Sequence, residues 1–154
     1  MPRGRYFSAR DVRMFNSING ELMKNIIEQV VVLYRVNPYE TDTHNVYGES
    51  MNKVYYPGIE MTCLVDTDPE SVAYELFGPD VKKDAVFKFH QKLCEIKGIY
   101  PQVGDFVAWE TAYFELSEIA ENQYLGGQPE KNFSLVAAST MTRVSRLNIS
   151  ERQQ

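Results

Sequence analysis

The chain has 154 residues, which suits a single domain with a core of its own. Hydrophobic residues make up 44% of it and charged residues 24%, the proportions of an ordinary soluble globular protein. The formal net charge of −5 argues against binding of nucleic acid by bulk electrostatic attraction. No stretch approaches the roughly 18 apolar residues of a membrane-spanning helix, and the N-terminus lacks the apolar region of a signal peptide.

The first residues are polar and basic. Arg3, Arg5, Arg10 and Arg13 are accompanied by a single acidic residue. We predict a flexible basic arm over residues 1–15. The arm could be an ordinary solvated terminus, or it could dock on an acidic partner surface or touch a nucleic-acid backbone.

A helix is predicted next, over residues 16–29 (NSINGELMKNIIEQ), with Asn16 or Ser17 as its cap. Its apolar residues recur at helical spacing on one face: Ile18, Leu22, Ile26 and Val30. The interpretation is a helix whose apolar face packs on a sheet.

Strands dominate the remainder. Residues 30–36 are dense in β-branched side chains and predict a strand that is either central in a sheet or covered on both faces. A long polar loop is expected over 37–52. Residues 53–66 resume strand character, with a Pro57-Gly58 turn or bulge inside the segment and one buried face after Gly58.

Further strands are predicted at 72–78 and 85–96, joined by PDVKKD, although FHQKLCEI within the second could be a helical turn. The remaining strands are predicted at 103–110, 112–121 and 133–149, the last with a possible break at Ala138-Ser139. Short strands joined by turns predict a mainly β fold, a small antiparallel β-barrel or sandwich with an N-terminal helix and long loops or arms. We expect one β-rich domain over residues 16–150.

Sequence motifs for metal binding or catalysis are weak in this chain. A metal site would need His44, His90, Cys63 and Cys94 to converge from separate segments, and none has the close spacing of a zinc site. Cys94 and His90 could pair as nucleophile and base only on a helix, and the apolar pattern around them favours buried thiols. No phosphate-binding glycine loop or serine nucleophile motif is present. We therefore expect no catalytic residues, no metal, no cofactor and no enzymatic activity.

The order of several segments points to a family. A helix-to-strand segment, INGELMKNIIEQVVVLYRV, is followed by YGES, YELFG, VGDFVAW, YFELSEIAE and YLGGQ. Together they resemble the head-closure or neck proteins of T4-like contractile-tailed phages, over most of residues 18–147. The chain is shorter than the T4-like neck protein beyond YLGGQ.

The resemblance implies a structural virion protein at the head–tail junction, made in the host cytoplasm. Such a protein forms a sixfold or twelvefold ring, binds the portal–adaptor ring, and presents a docking surface to the tail terminator or upper tail ring. It closes the head after DNA packaging and meets the packaged DNA in the channel non-specifically. Alternatives are a tail terminator or another tail-completion ring protein, and a small β-barrel enzyme or ligand-binding module.

Candidate partner-binding residues lie in three segments: the arginines of the basic arm, the long loop, and the YLGGQ turn, where glycines allow close approach of backbones. The candidates are Arg3, Arg5, Arg10, Arg13, Tyr39, His44, Tyr47, Tyr124, Leu125, Gly126, Gly127 and Gln128.

Overall fold

A computed structural model describes residues 8–27, 29–39, 42–43, 50–68, 71–75, 78–122 and 134–142. Six antiparallel strands form a closed barrel, which confirms the predicted mainly β fold and selects the barrel over the sandwich. The strands of the barrel are β1 (Val30–Tyr34), β4 (Ile59–Thr67), β7 (Asp84–His90), β8 (Phe106–Trp109), β9 (Ala112–Asn122) and β10 (Ser134–Thr142). Around the barrel they follow the order β1-β4-β7-β10-β9-β8. Two hairpins lie outside it: β2 (Asp42–Thr43) with β3 (Ser50–Asn52), and β5 (Ser71–Glu75) with β6 (Gly78–Lys82).

Strand β1 closes the barrel. Its Leu33 pairs with Ile59 of β4 on one side and with Val107 of β8 on the other. Val31 and Leu33 are buried, whereas Val30 is 47% exposed, so side chains alternate between core and surface. The first alternative predicted for this strand, a central position, is confirmed, because β1 pairs with a strand on each side. The second, coverage on both faces, is wrong, because β-branched density alone does not distinguish one buried face from two.

Aromatic side chains fill the barrel interior. Phe87, Phe89 and Phe114 are fully buried, and the rings of Phe87 and Phe114 meet edge to face with centroids 5.6 Å apart. Leu116 and Met61 complete the packing around them. The inward residues of neighbouring strands thus form one continuous core.

Helix α1 (Ala9–Glu21) begins earlier than predicted. Ser8 is its N-cap: its side chain accepts a hydrogen bond from the backbone N–H of Asp11, and the Asp11 carboxylate accepts one from the Ser8 backbone N–H at 2.8 Å. This capping box gives hydrogen-bond partners to two backbone N–H groups, those of Ser8 and Asp11. The prediction that the helix starts at Asn16 is therefore wrong. Residues 9–15, which were predicted to belong to a flexible arm, are helical. A π-helical segment (Leu22–Ile27) continues α1, and we call residues 9–27 the N-terminal helix.

Three further expectations are revised or resolved. The loop predicted over 37–52 contains the β2–β3 hairpin. The prediction that PDVKKD merely connects two strands is wrong, because Pro79, Asp80 and Val81 belong to β6 and pair with β5. The helical alternative for FHQKLCEI is confirmed as α2 (Gln91–Lys97), which ends at Gly98 in a left-handed conformation (φ 66°).

Candidate interaction surfaces

Three of the candidate partner-binding residues lie within the described structure. Arg10 and Arg13 are exposed on α1, where the Arg13 Nε donates to the backbone oxygen of Ala9 at 3.3 Å. Tyr39 is 91% exposed, and its backbone N–H donates to the side-chain oxygen of Asn37 at 3.0 Å. The other candidates lie outside the described residues: Arg3, Arg5, His44, Tyr47, Tyr124, Leu125, Gly126, Gly127 and Gln128.

An apolar stripe runs along the N-terminal helix and faces solvent. The stripe consists of Met14 (54% exposed), Phe15 (41%), Ile18 (50%), Leu22 (39%) and Ile26 (70%). Its members recur at spacings of three and four, so they share one helical face. The prediction that this face packs on a sheet is wrong. The periodicity identified three members of the stripe, Ile18, Leu22 and Ile26. It wrongly included Val30, which begins β1, and it gave the wrong neighbour for the face.

A different face of the same helix touches the barrel. Met23 is its only buried side chain among the described residues, and α1 itself has none. The Asn16 side-chain oxygen is buried, and the backbone oxygen of Gln29 accepts a hydrogen bond from the Cys63 N–H of β4 at 3.0 Å. At about 100° per residue, Asn16 and Met23 lie roughly a third of a turn from the centre of the stripe. The helix is thus held by a narrow seam that leaves the stripe uncovered.

The N-terminal helix also has a third, charged face. Arg10, Arg13, Glu21 and Lys24 point away from both the stripe and the seam. A surface helix normally turns its polar face to solvent and packs its apolar face against the protein, whereas this helix exposes both. The uncovered stripe is therefore an uncommon feature for a protein that acts alone.

A groove opens where β1 leaves the barrel. One lobe, of about 440 Å³, is lined by Leu33, Tyr56, Pro57, Ile59 and Ile99. A second lobe, of about 480 Å³, shares Arg35 and Tyr56 with the first and is bounded by residues that include Val36, Pro38, Gln102 and Val103. We call the two lobes together the Tyr56 groove. Its walls are largely apolar, and Tyr56 (40% exposed) and Val103 (64%) remain accessible to solvent.

Asp105 lies buried at the edge of the groove, 3% exposed. Its carboxylate accepts a hydrogen bond from the Gln102 N–H at 2.9 Å, and its own N–H donates to the Gln102 oxygen at 3.1 Å. Burial raises the pKa of this carboxyl, against the opposing effects of the Gln102 bond, the Arg35 charge and the Val36 backbone. Asp105 therefore fixes the turn that starts β8 and places an acid beside Arg35.

Several buried side-chain polar atoms of the described residues have no hydrogen-bond partner. They are both ring nitrogens of His90, the side-chain oxygens of Asn16 and Gln91, the Tyr55 hydroxyl and the Trp109 Nε1. His90, the last residue of β7, is 2% exposed. Burial lowers the His90 pKa, and the Lys92 charge lowers it further; the Asn16 backbone and the Glu95 charge act in the opposite direction.

The two cysteines are buried free thiols, as predicted. Burial raises the pKa of Cys63 to about 12 and that of Cys94 to about 11, so both thiols stay protonated at neutral pH. Helix α2 does place Cys94 one turn from His90, but a protonated, buried thiol is a poor nucleophile. Within the described ranges, no three histidine, cysteine or carboxylate side chains are grouped so that they could hold a metal ion.

Two of these features had a signal in the sequence that pattern reasoning did not use. The Gly104-Asp105 pair of VGDFVAW is a common turn sequence, but the pattern does not show which group its carboxylate contacts. Pro57 and Gly58 line the groove, whereas the sequence predicts only a turn or bulge there. Both lie between strands, where the contacts are set by the three-dimensional arrangement.

Two comparisons with known proteins, by family and by sequence, found no match. The chain matches no protein-family model, and a search of curated proteins returns no significant match. In the parts of the chain that are described, no helix has the length and apolar character needed to cross a membrane.

Proposed function

We propose that this chain is a structural subunit of a phage neck. In this role it forms a ring between the portal–adaptor ring and the tail, closes the head after DNA packaging, and provides the surface on which the tail docks. The observation that carries the proposal is the uncovered apolar stripe of the N-terminal helix. The resemblance of VGDFVAW and YFELSEIAE to neck proteins supplies the biological setting.

The size of the stripe supports a contact with another protein. At roughly 150–200 Å² of total surface for each large apolar residue, the stripe with Ile27 and Val30 exposes about 500–700 Å². The exposed fractions of those two flanking residues are 45% and 47%. The largest apolar patch of a typical monomer is about 300–600 Å² and is often functional itself. Exposure on this scale favours a subunit that is completed by a neighbour.

The segments behind the resemblance occupy coherent positions in the barrel. The Gly104-Asp105 turn opens β8, and the Gly104 N–H donates to the Leu116 oxygen of β9 at 2.8 Å. The paired strands β8 and β9 correspond to VGDFVAW and YFELSEIAE. A rigid barrel carrying apolar and polar surfaces suits a ring subunit, which must keep its shape while it contacts several partners.

The proposal is tested by deleting the gene from the genome that encodes it. We expect DNA-filled heads and separate, complete tails, because heads without a closing ring present no surface for the tail. Wild-type chain supplied from a plasmid should restore joined particles, and electron microscopy should locate it at the portal–tail junction. Joined, infectious particles without the chain, or density only along the tail tube, would contradict the proposal.

A matched pair of variants links the phenotype to the stripe. Ile18→Asp places a charge in the middle of the stripe, and we expect it to fail to restore joined particles. Ser17→Asp places the same charge on the neighbouring exposed position outside the stripe, and we expect it to restore them. Equal rescue by both variants would show that the stripe makes no required contact.

A further inference from the structure

We infer that the apolar stripe of one copy docks in the Tyr56 groove of the next copy, head to tail. The inference deepens the proposed ring function and rests on it, because a ring needs two different surfaces that fit one another. The stripe is the convex surface of this contact, and the Tyr56 groove is the concave one. Both are uncovered among the described residues of a single chain.

The two surfaces lie at opposite ends of the same strand. Val30, beside the stripe, begins β1, and Val36 lines the groove beyond its end. At about 3.3 Å per residue of extended chain, these two residues are roughly 20 Å apart. A second copy can therefore cover the stripe while its own stripe points onward to a third copy.

Symmetry distinguishes this contact from a dimer in which the two stripes pair with each other. If two copies paired stripe to stripe about a twofold axis, both grooves would stay open to water. In a head-to-tail arrangement each copy covers one groove and one stripe, and closure of the ring leaves none uncovered. A reciprocal dimer with each stripe in the other copy's groove would also cover both surfaces, and an assembly mass of two chains, where the inference expects more than two, would identify it. The arrangement that buries both apolar surfaces is the one that removes more apolar area from water.

Charge and area are consistent with this partner. The stripe contains no charged residue, and Arg35, the cationic side chain among the described residues of the groove lining, interacts favourably with the carboxyl of Asp105. The stripe with its flanking residues offers about 500–700 Å², against roughly 800 Å² per partner in a standard protein–protein interface. It would thus supply most of one side of the contact, and loops around the groove would supply the rest.

Disulfide trapping tests the contact in the purified full-length chain. Ile18→Cys and Tyr56→Cys are made as separate variants, one carrying a mass tag, and are mixed under mild oxidation. We expect a covalent dimer that joins residue 18 of one variant to residue 56 of the other. The native cysteines do not compete, because both are 0% exposed.

Two controls make the result specific. Ser17→Cys, exposed one residue away from the stripe, should not join to Tyr56→Cys. Ile18→Cys alone should not form a disulfide dimer. Efficient dimerisation of Ile18→Cys with itself would show that the stripes pair with each other, and this would overturn the inference.

Failure of this inference is distinguishable from failure of the proposed function. If residues 18 and 56 do not join, whether the chain forms larger assemblies or stays monomeric, the stripe-to-groove contact is wrong. The gene-deletion experiment then still decides the neck function, because its outcome does not depend on which surfaces the subunits use.

Discussion

Replacement of Asp105 tests the electrostatics at the edge of the Tyr56 groove. Asp105→Ala removes the acceptor of the Gln102 N–H bond at 2.9 Å. A hydrogen bond to a charged group contributes about 1.5–3 kcal/mol to stability. Part of that contribution is offset, because the buried carboxylate is less well solvated than in the unfolded chain. We expect Asp105→Ala to lower the free energy of unfolding by about 1–2 kcal/mol at pH 7.

Asp105→Asn separates the hydrogen bond from the charge. The amide oxygen can accept the same bond from Gln102, whereas the charge that Arg35 stabilises is gone and the amide NH2 cannot accept a bond from the Val36 backbone. Because burial outweighs these favourable contacts in the pKa of Asp105, we expect this variant to be within about 0.5 kcal/mol of the wild type at pH 7, or more stable. Leaving the acceptor in place makes it the matched control for Asp105→Ala.

The two proteins should also differ in their pH dependence. The folded pKa of Asp105 is raised above its ordinary value of 3.8. Between the unfolded and folded pKa values the native state holds a proton that the unfolded state has lost, so wild-type stability falls as pH rises through this window. The Asn variant lacks this titration, and its stability relative to wild type should increase between pH 4 and pH 7.

Urea unfolding followed by fluorescence of the single tryptophan measures these differences at each pH. Other carboxyl groups titrate in both proteins and cancel in the comparison. The reasoning is refuted if Asp105→Asn destabilises the fold as much as Asp105→Ala, or if the difference between Asn variant and wild type does not change with pH.

Three further substitutions test the packing and the buried histidine. Gly58→Ala should lower the free energy of unfolding by about 1–3 kcal/mol, because a Cβ there would lie 2.5 Å from the Val32 Cγ1; a urea midpoint equal to wild type would contradict this. Gly20→Ala, with no atom within 4 Å of the added Cβ, should instead raise it by about 0.5–1 kcal/mol in the same assay, and a loss would show a contact that the structure lacks. The His90 pKa is lowered in the fold, so wild-type stability should fall as pH drops below about 6.5, where the unfolded chain gains the proton first. His90→Gln should lose that dependence, and parallel pH profiles of the two proteins would refute the assignment.

The sheet was predictable because its side chains alternate. In β9, Phe114 and Leu116 are buried while Glu115 lies half-buried and Ser117 exposed between them, as the period-two pattern predicts. The sequence also predicted a possible break at Ala138-Ser139 in the last strand. The structure has an irregularity at that point, because the register of β10 with β9 shifts between Ala138 and Ser139. Which of the possible strand orders closes the barrel depends on pairings between distant residues, and no local pattern encodes them.

The helices show where sequence reasoning stops. Helical spacing identified Ile18, Leu22 and Ile26 as one apolar face, but it carries no information on what covers that face. The fold directs Asn16 and Met23 to the barrel instead. Helix α2 has only seven residues. A segment of that length is too short for its hydrophobic spacing to distinguish a helix from a strand, so the sequence fitted both.

The mass of the purified chain in solution tests most directly whether the uncovered stripe joins copies of this chain. Native mass spectrometry or mass photometry is applied to the wild type, Ile18→Asp and Ser17→Asp over a range of concentrations. We predict multimers for the wild type and Ser17→Asp, and the mass of a single 17.8 kDa chain for Ile18→Asp. A wild type that stays monomeric at every concentration, or an Ile18→Asp variant that assembles as the wild type does, would contradict the claim that the stripe joins copies of this chain.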